Sequence, residues 1–210
     1  MTDREIRALK CVNYLLDHFV YKIPVEPYKI AKAYNIKMCS ASYYAEQGME
    51  RDALFDIWGN SDGSAMSYGE QHVINYNNAM PYNRQRFTIA EELMHILLGH
   101  TQDKRFSVFS QDYSPEVYNE YEHEAKTAAG LLLMPLPVYF RYHPYRSLEA
   151  IASACMISNA CAFTSMQYIV KNEKELRELS THKIIYCGVN LPPQRFDALD
   201  IWPDASAARY

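Results

Sequence analysis

Residues 81–99 constrain this chain more than any other stretch. Pro81 suits the first position of a helix, where its missing N–H costs nothing. Gly99 is a natural helix stop. Between them residues 84–98 read Arg-Gln-Arg-Phe-Thr-Ile-Ala-Glu-Glu-Leu-Met-His-Ile-Leu-Leu, which predicts a helix from about Pro81 to Leu98. Set into its largely apolar second half are Glu91, Glu92 and His95. Positions i and i+4 of a helix share a face, about one turn apart. Glu91 and His95 therefore look in one direction, and Glu92 sits beside the first of them.

Composition excludes several classes. At 210 residues and 49% apolar content, the chain can bury a sizeable core as one compact domain, or one domain with a small appendage. No apolar run is long enough to span a membrane. Met1 is followed by Thr2-Asp3-Arg4-Glu5, without a signal-peptide core, so the expected location is the cytoplasm. Cys11, Cys39, Cys155, Cys161 and Cys187 are odd in number and form no C-x-x-C pair, which points to free thiols. A net charge of −4 gives no general pull toward nucleic acid.

Other elements follow from periodicity. Ile6, Leu9, Val12, Leu16, Phe19 and Val20 predict an amphipathic helix over residues 3–20. A short helix with Ile30, Ala31 and Ala33 turned inward follows Pro27 and ends near Asn35. Ile36–Ser42 alternates like a strand, and Leu54–Trp58 is a second strand candidate. Asn60-Ser61-Asp62-Gly63 reads as a turn. Ala65–Tyr68 and His72–Tyr76, split by Gly69-Glu70, predict a hairpin. Pro115–Leu133 reads as a helix stopped by Met134-Pro135-Leu136-Pro137, and Tyr139–Arg146 as a loop. Ser147–Cys155 and Ser158–Val170 predict a helix pair turning at Met156-Ile157, followed by a charged helical segment over 171–180 and a short strand at Lys183–Cys187. The domain division this implies is residues 1–140, a helical pair over 141–180 packed on it, and a tail over 181–210.

In an H-E-x-x-H helix two imidazoles grip one zinc, and the glutamate beside the first acts as general base. Here the pattern is Glu91-Glu92-Leu93-Met94-His95, so a carboxylate stands where the first imidazole would be. With this motif in view the chain resembles the ImmA/IrrE family of metallopeptidase-like proteins over roughly residues 5–175. The resemblance is carried by Ile23-Pro24-Val25-Glu26-Pro27 with Ile30-Ala31, by the flanks Arg86–Ala90 and Ile96–His100, by Glu124-Ala125 with Ala128-Ala129 and Leu132-Leu133-Met134-Pro135, and by Ser147–Ala152. It implies an α+β fold: a small zincin-like domain with a short β-sheet beside the site helix, followed by a C-terminal helix-turn-helix-like pair. It also implies intracellular peptidases, several of which act on helix-turn-helix repressors in mobile genetic elements or stress responses.

Carried over residue by residue, Glu92 matches the general base, His95 the second histidine ligand and Glu124 the glutamate ligand, while Glu91 departs from the first histidine. Met94 stands where a small residue is usual, Lys126 where Asn or Asp is usual, and Ala128 where an aromatic is common. The scaffold signals persist while the changes gather at the chemistry.

A site of Glu91, His95 and Glu124 around a divalent ion would be formally neutral and a weaker Lewis acid than the family arrangement. It would suit zinc, or harder ions such as manganese or iron. Without an ion, the carboxylates of Glu91, Glu92 and Glu124 would crowd, and at least one should stay protonated near neutral pH. Lys126 could then fill the site by pairing with Glu91, with Met94 as a second filling residue. His100 reads as a capping or packing residue, and His123 as a poor substitute ligand. The second helix of the C-terminal pair offers Asn159, Thr164, Ser165 and Gln167 but no base before Lys171, which favours protein docking over DNA reading. Two functional readings stay open: a pseudo-peptidase that binds a protein partner such as a transcriptional repressor, with no metal, or a metallo-endopeptidase that cleaves one.

Overall fold

The computed structural model describes residues 1–20, 22–58 and 62–182. In chain order its elements are α1 (Asp3–Phe19), α2 (Pro27–Ala33), β1 (Lys37–Ser40), α3 (Ala41–Glu46), α4 (Arg51–Ile57), β2 (Gly63–Tyr68), β3 (Gln71–Tyr76), α5 (Tyr82–Leu97), two 3-10 turns (His100–Gln102 and Lys104–Phe106), α6 (Pro115–Leu133), α7 (Leu136–Tyr142), α8 (Leu148–Cys155), α9 (Asn159–Lys171) and α10 (Glu173–Thr181). This is a mixed α+β fold of the expected kind: a short sheet beside the site helix, then a helical C-terminal region. No described helix is long and apolar enough to cross a membrane. The chain forms two compact units. One is Glu26–Ala129; the other joins Met1–Val25 to the described residues from Gly130 onward.

The Glu26–Ala129 unit holds the sheet, in the order β1-β3-β2. β2 and β3 form the expected hairpin, antiparallel from Gly63↔Tyr76 to Tyr68↔Gln71. Gly69 makes the turn at a φ of 61°, a conformation open to glycine at little cost. β1 joins the other side of β3 in parallel, from Lys37↔Val73 to Ser40↔Tyr76. α5 lies across β2 and β3, with α2 also against it. Its ends fall one residue inside the expected ones: Pro81 sits at the N-cap rather than in the first turn, Leu98 at the C-cap, and Gly99 follows at a φ of 77°. Gly63 lets β2 approach closely, since a Cβ there would come within 2.4 Å of Thr88 Cγ2 and 2.7 Å of the Asn75 carbonyl oxygen.

Two elements of this unit differ from expectation. Leu54–Trp58 is not a strand. Leu54 and Trp58 are buried while Asp56 and Ile57 are exposed, a period of four rather than two. The Trp58 N–H bonds the Leu54 carbonyl at 3.1 Å, in helical fashion. β1 also stops at Ser40, because the Ser40 hydroxyl accepts from the Tyr43 N–H at 3.2 Å and caps α3.

In the other unit α1 opens with a capping box, the Thr2 hydroxyl accepting from the Glu5 N–H at 3.2 Å and the Glu5 carboxylate from the Thr2 N–H at 2.6 Å. α1 buries Ala8, Leu9, Val12, Leu15 and Leu16. α8 and α9 form the expected pair, capped by Ser147 and Ser158. They are joined through Met156 at a φ of 53°. Part of the predicted loop over 139–146 is instead α7. Pro135 sits at its cap and Pro137 in its first turn, positions where a proline starts a helix rather than ending one. The strand expected at Lys183–Cys187 lies outside the described residues, as do Asn60 and Ser61 of the turn before β2.

Candidate metal centre

Glu91 and His95 of α5 meet Glu122 of α6, each offering one potential ligand atom, all within 4.8 Å of one another. Glu122 Oε1 lies 3.4 Å from His95 Nε2. Lys126, one turn along α6, places Nζ 2.6 Å from Glu122 Oε2 and 3.6 Å from Glu91 Oε1. Tyr118, one turn the other way, donates its phenol to Glu122. Tyr118, Glu122 and Lys126 thus line one face of α6 at i, i+4 and i+8, as the helical repeat requires.

Glu124, the expected third ligand, is not in this group. Residues two apart on a helix point about 200° apart, so Glu122 and Glu124 cannot face one site. Glu124 is buried, with Oε2 3.2 Å from His100 Nε2. His100 Nδ1 lies 3.1 Å from His95 Nδ1. His100 is a buried packing residue, its ring stacked at 4.1 Å on Tyr121. His123 is exposed. Met94 is fully buried in α5. Ser165, a candidate reading residue on α9, is buried against Gly130.

Glu122 was missed by sequence reasoning. The signal was present: Glu122 and Lys126 are four apart, so a lysine aimed at Glu91 brings Glu122 with it. Phe106 was also missed. It stacks on the His95 ring at 4.7 Å and on Tyr118 at 5.3 Å. Asp103 holds this segment, accepting from Arg105 at 2.6 Å and from the Tyr121 hydroxyl at 3.0 Å.

The carboxyls divide by environment. Burial works against the charge of Glu122, but contacts with His95 and Lys126 outweigh it and hold that carboxyl down at about 2. Burial raises Glu91 above its ordinary value, and Lys126 opposes this only in part. Glu92 is the most affected. Burial first, then the charges of Glu91 and Glu122, push it well above the usual range, although the Ala65 backbone N–H donates to it. Of the three, Glu92 is the carboxyl whose surroundings most favour the protonated form. Burial would lower Lys126, but Glu122 and Glu91 raise it overall, so it stays an ammonium. Burial, then Glu122, lifts the Tyr118 phenol to about 12.

Two carboxylates and an imidazole converging from two helices are a donor set that a divalent cation accepts. Glu91, His95 and Glu122 fit one ion by donor type and spacing. The same atoms also satisfy one another around Lys126. Glu92 stands beside them on α5, shielded by β2 through its Ala65 bond. None of the curated proteins compared matches the chain. The family model described as Peptidase_M78, IrrE N-terminal-like domain, matches residues 50–154. That span covers half of the chain, from α4 through both site helices to α8, and the protein therefore belongs to the ImmA/IrrE family of metallopeptidase-like proteins.

Proposed function

We propose that this protein is a regulatory pseudo-peptidase. It binds a partner protein, such as a helix-turn-helix repressor, in the groove where peptidases of its family hold a peptide. The carrying observation is Lys126, whose Nζ reaches both Glu122 and Glu91. Its ammonium supplies the positive charge that two converging carboxylates need, where a metal ion would otherwise supply it. Glu91 is the other half of the exchange. An imidazole in its place would offer the lysine no negative charge and, when protonated, would repel it; a carboxylate attracts it. The substitutions at residues 91 and 126 are thus two parts of one change.

A second reading is favoured by the three donors within 4.8 Å. In it Glu91, His95 and Glu122 hold a zinc, manganese or iron ion, which supplies Lewis acidity. With an ion held there, Glu92, in the base position, would lose its proton to solvent and would then serve as the group that takes a proton from a water nucleophile. Lys126, half exposed, swings to solvent or keeps only Glu122 Oε2.

Elemental mass spectrometry of protein purified without chelator separates the two. The expected result is essentially no zinc, manganese or iron per chain, even after dialysis against zinc, and no cleavage of a bound repressor. Near one equivalent of metal, with cleavage that Glu92→Gln abolishes, would overturn the pseudo-peptidase reading.

A further inference from the structure

His95 belongs to a chain of contacts that runs from the site into the core: Glu122 Oε1 to His95 Nε2 at 3.4 Å, His95 Nδ1 to His100 Nδ1 at 3.1 Å, and His100 Nε2 to Glu124 Oε2 at 3.2 Å. Four side chains from α5, α6 and the 3-10 turn after Gly99 meet end to end, and three of them are almost fully buried. Glu122 is pinned at its other oxygen by Lys126 at 2.6 Å. A carboxylate offers only acceptors, so the hydrogen between it and His95 must sit on His95 Nε2. With His95 as a neutral imidazole, which has one donor and one acceptor nitrogen, its Nδ1 accepts. The hydrogen in the bond between the two rings therefore sits on His100 Nδ1. At the far end, His100 Nε2 and Glu124 share a hydrogen whichever of them carries it.

We propose that His100 is a positioning residue that fixes the tautomer of His95, donating from its own Nδ1 so that His95 carries its proton on Nε2, the nitrogen facing the site. The rings are held for this. Tyr121 stacks on His100 at 4.1 Å with planes 2° apart, and Phe106 stacks on His95 at 4.7 Å. A metal ligand must present a lone pair. In the lysine-bridged site His95 presents a hydrogen instead. Capturing an ion at Nε2 would require His95 to release its Nε2 hydrogen to solvent and to take the hydrogen between the rings from His100. His100 and Glu124, neither of them in the donor group, thus select the arrangement in which His95 serves Glu122. The proposal rests on the lysine-bridged reading and adds the residue that maintains it.

The test is NMR on the full chain, chelator-treated and labelled with nitrogen-15 at histidine, with the His95 signals assigned by their loss in His95→Gln. Long-range proton–nitrogen correlations give the tautomer, and nitrogen–nitrogen coupling across the Nδ1–Nδ1 bond identifies donor and acceptor. The expected result is hydrogen on His95 Nε2 and on His100 Nδ1. Hydrogen on His95 Nδ1 would overturn the proposal. His100→Phe keeps a ring against Tyr121 but cannot donate. Loss of one hydrogen bond should make the His95 tautomer ratio about tenfold less one-sided. An unchanged ratio in a folded variant would remove His100 from the role. If that variant does not fold, the wild-type spectrum still decides. Failure of the lysine-bridged reading is seen separately, as metal in the untreated protein.

Discussion

Glu92, Glu91 and Glu122 are three carboxyls in one neighbourhood, and their surroundings drive them in opposite directions. Glu92 is raised by burial and by its two acidic neighbours. A group raised on folding binds more protons in the folded state, so its contribution to stability is full below the ordinary carboxylate range and falls as pH rises toward the folded value. Glu92→Gln should therefore stabilise the protein at pH 7 by about 1 kcal/mol while changing it little near pH 4, read from urea midpoints at the two values. Equal effects at both would show that Glu92 is not strained by its charge. Glu122 has the opposite sign. Its carboxyl is held at about 2, against burial, by His95 and Lys126. It contributes stability above the ordinary carboxylate range that is lost as pH falls toward 2. Lys126→Met removes one of its partners and should cost about 1 kcal/mol at pH 7, with a shallower decline in acid. Its half-exposed lysine limits the size of that effect.

At the scale of elements, the approach of β2 to α5 shapes the site. Gly63 faces Thr88 Cγ2, and a Cβ added there would also meet Glu92 Cγ at 3.5 Å. Gly63→Ala should cost about 1–3 kcal/mol, measured by denaturant unfolding, because a strand and a helix must separate to admit one methyl group. A neutral outcome would mean that β2 does not press on α5 as described. Helices α5 and α6 were legible in the sequence because Pro81 and Gly99 flank the first, Pro115 and Pro135 bound the second, and apolar spacing agrees in both. α4 was not. Five residues with apolar positions at both ends fit a strand as readily as a helix turn, and only the burial of Leu54 and Trp58 decides between them. α7 was obscured by Pro135 and Pro137, which stop one helix and begin the next.

At the scale of the whole molecule, family membership carries the expectation of a metal, and α5 and α6 decide whether one can bind. Glu91→His combined with Lys126→Met removes the lysine bridge and restores an imidazole pair one turn apart. This variant should gain about one equivalent of zinc and be stabilised by about 2.7 kcal/mol at a hundredfold excess over its dissociation constant, an effect reversed by chelator. The natural chain should show no such shift. If it does, the metal-dependent reading takes over. The sequence by itself determined the hairpin, the limits of the site helix and the facing of Glu91 with His95, because all of these depend on local periodicity and on the backbone preferences of proline and glycine; the α+β class came with the family resemblance. It also placed Lys126 as a partner for Glu91. Only the tertiary structure decided that Glu122 rather than Glu124 joins them, and that Glu124 instead holds His100 behind His95. That choice depends on the rotation of α6 about its own axis against α5. A rotation of about 200° exchanges the two glutamates while leaving the helical pattern of the sequence unchanged.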